Sequence, residues 1–114
     1  MRVAIPYEDG QIFQHFGQTQ HFKLYEIEHG AVTSTKVIGV DGASHGALVG
    51  VLADVGANVL VCGEIGTGAV ERLKNHGIIL YSANAGSADE AAQALAAGTL
   101  PKNSQATHVC HHDH

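Results

Sequence analysis

Residues able to hold a metal or an anion fall in three places along this chain of 114 residues. The first is the loop Gln14-His15-Phe16-Gly17, with a further histidine at His21. An imidazole at a loop tip can ligate a soft or borderline metal, and the glycine after it lets a bulky ligand approach the backbone. Taken alone, the same residues also fit a surface histidine beside a core phenylalanine. The second is Cys62-Gly63-Glu64-Ile65-Gly66-Thr67-Gly68, a glycine-rich passage from an apolar run into a helix start. Backbone N–H groups in such a passage can hold an anion. The glycine spacing is not G-x-G-x-x-G and no P-loop lysine follows, so a dinucleotide or P-loop site is not indicated. A tight turn with Gly68 easing helix packing fits equally well, and Cys62 by itself fits a small buried hydrophobe. The third is His108-Val109-Cys110-His111-His112-Asp113-His114, where four imidazoles, a thiol and a carboxylate crowd seven positions. Five of these, His108, Cys110, His111, His112 and His114, form a donor set suited to zinc, copper or nickel, and spacing alone does not choose among them. The interspersed Val109, Cys110 and Asp113 distinguish it from a plain polyhistidine purification tail.

Catalytic chemistry has less support. Glu26 and Glu28 share a strand face with no partner acid or nucleophile indicated beside them, and no serine stands in a nucleophile-elbow context. Two-metal phosphoryl or nuclease chemistry needs clustered acids, for which Asp9 and Glu64 are too few. The 9 histidines outnumber the 6 Lys and Arg together, and the formal charge is −5. That charge provides no footprint for a nucleic-acid backbone or an anionic membrane, so neither partner is expected. Met1-Arg2-Val3-Ala4-Ile5-Pro6 reads as a strand rather than a signal peptide, and no apolar run reaches the length of a membrane span. A cytoplasmic location, with Cys62 and Cys110 as reduced thiols or metal ligands, is the expectation.

The elements that must position these residues follow from periodicity. Arg2 to Ile5 reads as a strand ended by Pro6 and the turn residues Glu8-Asp9-Gly10. His21 to Glu28 alternates with period two, as a strand with one less buried face does, and His29-Gly30 turns it back into a strand from Ala31 to Val40. Ser44 to Val55 carries apolar residues at helical spacing and ends at Gly56. Val59 to Cys62 and Ile78 to Tyr81 read as strands covered on both faces, and helices are expected over Ala69 to His76 and Ala88 to Ala97. A hairpin unit followed by β–α repeats predicts an α/β domain of three layers, α/β/α, built on a mixed five-stranded sheet that is parallel in its later part, with helices on both faces. Its ligand would sit beyond the carboxyl ends of the parallel strands, at the loops after Ile5 and Cys62. Residues 1–100 form the expected domain. Residues 101–114 are polar and patternless up to the His/Cys cluster and read as a flexible tail.

The order Ala4-Ile5-Pro6, Asp9-Gly10, His15-Phe16-Gly17, Phe22 and Tyr25, Gly63-x-x-Gly66 with Ala69, Gly77-Ile78 and Gly98-x-Leu100 resembles the dinitrogenase iron-molybdenum cofactor biosynthesis family of NifX/NafY-like carriers. The resemblance covers nearly all of residues 1–100 and is nearest to the small orange-protein type of member. It implies a ribonuclease-H-like fold and non-catalytic carriage of a molybdenum-containing metal-sulfur cluster, of Mo-Cu sulfide or Fe-Mo type, with donor and acceptor proteins of cofactor assembly as partners. By that resemblance His15 stands in the family's loop motif, and Gly63 to Gly68 form the opposite lip of a binding cleft. Cys62 and His45 are further candidate contacts. With cations scarce near these loops, an anionic cluster would have to be held by local dipoles and histidines. Two other readings stay open: a divalent-metal protein (Cu, Zn or Ni) acting through the tail alone, and a nucleic-acid enzyme on the ribonuclease-H-like fold, which the acidic charge and unclustered carboxylates oppose.

Overall fold

The computed structural model describes residues 1–40 and 45–102, with side chains for all of these except His45 and Gly46. In chain order the elements are β1 (Arg2–Glu8), β2 (Gln11–Ile12), a 3-10 turn (Phe16–Gln18), β3 (His21–Glu28), β4 (Ala31–Gly39), α1 (His45–Asp54), β5 (Val59–Val61), α2 (Thr67–Asn75), β6 (Ile79–Tyr81) and α3 (Ala88–Ala97). The sheet runs β4-β3-β1-β5-β6, with the short β2 attached to β1 alone. β3 is antiparallel to both β1 and β4, whereas β5 is parallel to both β1 and β6. The sheet is therefore mixed and parallel in its later part. It carries one strand more than the five expected, because two residues of β2 are too few to show a period.

Side-chain alternation distributes the core over both faces. Ala4, Phe22, Leu24 and Leu60 face one layer, where Leu48 and Leu52 of α1 and Ala69, Val70 and Leu73 of α2 cover them. Val3, Ile5, Tyr25, Ile27, Val59 and Val61 face the other, under Ala88, Ala91 and Ala92 of α3. Fully burying a Leu such as Leu48 or Leu60 stabilises the fold by about 1.5–3 kcal/mol relative to exposure. Among the described residues, no helix is long and apolar enough to cross a membrane.

Three strand expectations need correction. β1 does not stop at Pro6: Tyr7 and Glu8 pair with Ile12 and Gln11 around the Asp9-Gly10 turn. β5 pairs with β1 only at Val3 and Ala4, so β1 has already lost that neighbour at Pro6 and the missing N–H costs little. β3 is buried on both faces, since Tyr25 and Ile27 pack beneath α3. The polar-looking Lys23 lies across the Tyr7 and Tyr25 rings and places its Nζ 2.9 Å from Asp89 in the first turn of α3. A lysine stem covering aromatic surface looks polar in a sequence and apolar in space. β6 is an edge strand, so Ile79 is exposed where a strand covered on both faces was expected.

The hairpin turn is found as expected. His29 and Gly30 both have positive φ, 54° and 77°, the two-residue turn whose twist matches the flanking strands. α3 has the expected bounds, with Ser87 Oγ accepting the Glu90 N–H and Gly98 closing it in the left-handed region. α2 starts at Thr67, two residues before the expected Ala69, because Gly66 serves as its N-cap.

Candidate functional site

The parallel neighbours β1 and β5 feed connections that leave in opposite directions, β1 toward β3 and β5 through α2 toward β6. Such a reversal opens a crevice beyond the carboxyl ends of the two strands. Here it is bounded by the loop 13–20 on one side and the passage 62–66 on the other, and backbone bonds zip the two together. The Glu64 N–H donates to the Gln14 carbonyl at 2.8 Å and the Phe16 N–H to the Glu64 carbonyl at 3.2 Å, so His15 and Glu64 form a parallel bridge between them. His15 is thus fixed by main-chain bonds on either side. Its Nδ1 lies 3.5 Å from Glu64 Oε1, and the two side chains are 61% and 54% exposed, so both are open to a ligand.

Beneath this polar pair the floor is apolar. Phe16 and Ile65 are buried, and the Phe16 ring packs against Phe22 at 6.1 Å between centroids. Thr19 Oγ1 closes the 3-10 turn by donating to the Phe16 carbonyl at 2.7 Å. The resulting cavity of about 310 Å³ has the segment 15–18 on one wall and Glu64, Ile65, Gly66 and Gly68 on the other, with Ala69 and Arg72 from α2. That is the lower end of the usual size for a small-ligand site. α2 begins at the cavity with Gly66 as an N-cap that supplies no side-chain acceptor and with no acidic residue in its first turn. The positive end of the helix dipole therefore faces the cleft without a side-chain cap.

The residues singled out in the sequence divide. His15, Phe16, Gly17, Glu64, Ile65, Gly66 and Gly68 come together on the cavity wall. Cys62 does not: it is a core residue with no exposed surface, and burial pushes its thiol up to about 12. At neutral pH it is a sealed, protonated thiol, a poor ligand for anything in the cleft. Thr67 opens α2 and lies off the cavity wall. Gly63 is also off the wall and acts through packing. A Cβ there would lie 2.6 Å from Gln14 Cδ, and the Gln14 carboxamide occupying that space donates to the carbonyls of Ile12 and Asn84 at 3.2 and 3.0 Å. Through Asn84 the loop after β6 joins the zipper, its Asn84 and Ala83 N–H groups donating to the Cys62 and Gly63 carbonyls. The side chain of His45, and all of His108, Cys110, His111, His112 and His114, lie outside the described residues.

Sequence reasoning missed Arg72, Gln18 and the positioning role of Gln14. Arg72 corrects the expectation that cations are scarce at these loops. It stands one helical turn after Gly68, and its Nη1 lies 3.6 Å from where a Gly68 Cβ would be. Among the described residues the salt bridges join Arg2 to Glu26, Lys23 to Asp89 and His15 to Glu64, and Arg72 is in none of them. The i, i+4 relation of Gly68 to Arg72 was the available signal.

An α/β/α domain with an open, mixed-polarity cleft at the switch point of its sheet is a ligand-binding architecture. Residues 1–98 match the family described as dinitrogenase iron-molybdenum cofactor, and the chain belongs to that family. The uncharacterized protein MJ0580 of Methanocaldococcus jannaschii is 29% identical over 109 residues, covering 90% of this chain and 91% of its own. The crystal structure of PH0822 superposes with a TM-score of 0.84 at 31% identity, over 90% of this chain and 95% of that one. The apo form of the orange protein of Desulfovibrio gigas shares the fold, with a TM-score of 0.75 at 23% identity over 90% and 92% of the two chains. Membership of this family links the chain in general terms to the binding or biosynthesis of a metal-cluster cofactor.

Proposed function

We propose that this protein is a non-catalytic carrier of a molybdenum-containing metal-sulfur cluster, of Mo-Cu sulfide or Fe-Mo type, taken up in the cleft between the His15 loop and the passage 63–68. The observation that carries the proposal is the make-up of the cleft in a chain of this family: a buried Phe16–Ile65 floor under a rim of His15, Glu64 and Arg72 at the start of α2. A sulfide cluster satisfies much of its metal coordination internally. What it requires of a carrier is a polarisable floor, positive charge, N–H donors and at most one or two exchangeable ligands. Arg72 supplies the charge, the α2 N-terminus the dipole, and His15 the exchangeable ligand. A cargo held this way leaves without breaking a set of thiolate bonds, which suits handover between donor and acceptor proteins of cofactor assembly. The strand order β4-β3-β1-β5-β6, with antiparallel pairing on one side of β1 and parallel pairing on the other, also suits the ribonuclease-H-like fold implied by the family resemblance.

The test is reconstitution of apo-protein with tetrathiomolybdate and copper, followed by visible absorbance and amide NMR. The proposal expects cluster absorbance to develop together with shifts at Gly17, Gly66 and Gly68, and a weaker cluster in His15→Ala. Shifts confined to residues 103–114 would reject it in favour of metal binding by the tail alone.

A further inference from the structure

The two ends of the strand order are edges, and they differ in kind. β6 offers the short stretch Ile79–Tyr81. β4 offers Ala31–Gly39, 9 residues that pair with β3 alone. An edge of that length is a template for a further strand unless Pro, bulges or charged side chains blunt it. β4 has no Pro and one charged residue, Lys36, among Val, Thr and Ile residues of high strand preference. Val37 in this strand is 47% exposed and is, with Met1 and Ile79, a large apolar side chain left open among the described residues.

The ladder fixes which backbone groups of β4 face outward. The Val40 N–H donates to the Gln20 carbonyl at 2.8 Å, in register with the β3–β4 pairs from His21↔Gly39 to Glu26↔Ser34. Bonded and non-bonded pairs alternate along an antiparallel ladder, so Ile38, Lys36 and Ser34 bond inward to β3. Gly39, Val37 and Thr35 therefore turn their N–H and C=O groups outward, and no strand among the described residues takes them. Beyond Ser34 the alternation breaks. Glu26 pairs with Ser34 but Ile27 with Val32, which leaves Thr33 as the extra residue of a bulge.

The stretch Thr35 to Gly39 is complementary to itself in one antiparallel register. With a two-fold axis at Val37, the two Val37 residues face each other and each Thr35 faces a Gly39, for about six new ladder bonds. An axis at Lys36 would set the two lysines face to face, and an axis at Thr35 would carry the pairing into the bulge at Thr33. With the axis at Val37, each Lys36 stands opposite an Ile38, and the two lysines lie on a diagonal about 7–8 Å apart, where salt screens them. The exposed valines cover each other at the centre.

We propose that β4 is a homodimer interface, at which two copies of this chain pair antiparallel about Val37 and continue the sheet across the two-fold axis. The seam is small for a specific interface, so the association is weak and reversible. It is independent of what the cleft holds.

The test is sedimentation and amide hydrogen exchange on the full chain from about 0.02 to about 1 mM, the range in which a weak interface assembles. Reductant and a chelator are present, so that neither disulfides through Cys110 nor bridging metals join chains. The expected result is a monomer–dimer equilibrium. The amides of Thr35, Val37 and Gly39 should gain protection only as concentration rises, whereas those of Ser34, Lys36 and Ile38 are protected throughout. Val37→Glu and Val37→Lys each set like charges at the two-fold axis and should be monomeric where the parent is half dimeric. Mixed in equal amounts, the two variants should pair again. Val37 is exposed, so both are expected to fold, and Val37→Pro, which removes an outward N–H, should also give a monomer. The proposal is overturned by a parent that stays monomeric throughout, by dimers indifferent to both charge variants, or by a mixture that does not reassociate. Dimers lost in Ile79→Lys but kept in Val37→Glu would overturn it in favour of the β6 edge.

Discussion

Glu64 and Arg72 lie on one cavity with opposite charges, so neutralising them should move anion affinity in opposite directions. For a tetrathiomolybdate dianion in this cavity we take about 6 Å as its separation from each group, and both are exposed, so a dielectric near that of water applies. Coulomb's law then gives about 1.4 kcal/mol for the dianion with each unit charge, a factor of about ten in affinity. Glu64→Gln is therefore expected to tighten binding about tenfold at low ionic strength, Arg72→Gln to weaken it about tenfold, and the double variant to return near the parent. With a Debye length of about 8 Å at 0.15 M salt, each effect should shrink to about threefold. The assay is a titration followed by tetrathiomolybdate absorbance at two salt concentrations. Both variants shifting affinity in the same direction, or neither responding to salt, would refute the assignment of this cleft as an anion site.

Three further outcomes follow from the surroundings of the cleft. Gly63→Ala should expel the Gln14 carboxamide and cost about 1–2 kcal/mol through its two hydrogen bonds. Gln14→Ala should cost a similar amount, and chemical denaturation of the double variant should show the two effects failing to add. In Cys110→Ser, where Cys62 is the lone thiol, a thiol reagent at pH 8 should label nothing until denaturant is added. Because the folded Cys62 pKa is raised to about 12, its contribution to stability is complete below the unfolded thiol pKa of about 8.5 and is lost as pH climbs from there toward 12. Cys62→Ala should flatten that alkaline limb in pH-dependent denaturation. The Asp89 carboxyl is held below its usual range by the hydrogen bond from Tyr25 and then by that from Lys23. Its contribution is present above about pH 4 and disappears as pH falls through the depressed folded value, so Tyr25→Phe should weaken the acid limb; because burial and the bond to Asp89 also push the Tyr25 hydroxyl above its usual range, the variant should flatten the alkaline limb as well.

How far the sequence could be read depended on whether a residue's neighbours were local. Turn and cap chemistry is local: His29-Gly30, Ser87 and Gly98 sit where a turn, an N-cap and a C-cap require their residue types, and α3 has its expected bounds. Pro6 and Lys23 misled because their consequences are set across the sheet. One is tolerated because β5 has already ended, and the other is polar in type but spends its length over Tyr7 and Tyr25. The cleft shows the same division. The glycines and His15 were visible as motifs, but whether Cys62 faced in or out turned on one step of a strand whose two faces are both buried, which periodicity cannot resolve. Arg72 was hidden for the opposite reason. A lone arginine in an amphipathic helix looks like solvated surface until the helix N-terminus is known to open onto a cavity, and the start at Thr67 is what brings it there. That shift of two residues also alters the chemistry. With Cys62 withdrawn into the core and Arg72 brought to the rim, the described cleft presents one cation and a helix N-terminus, and among the described residues no cluster of three metal-ligating side chains.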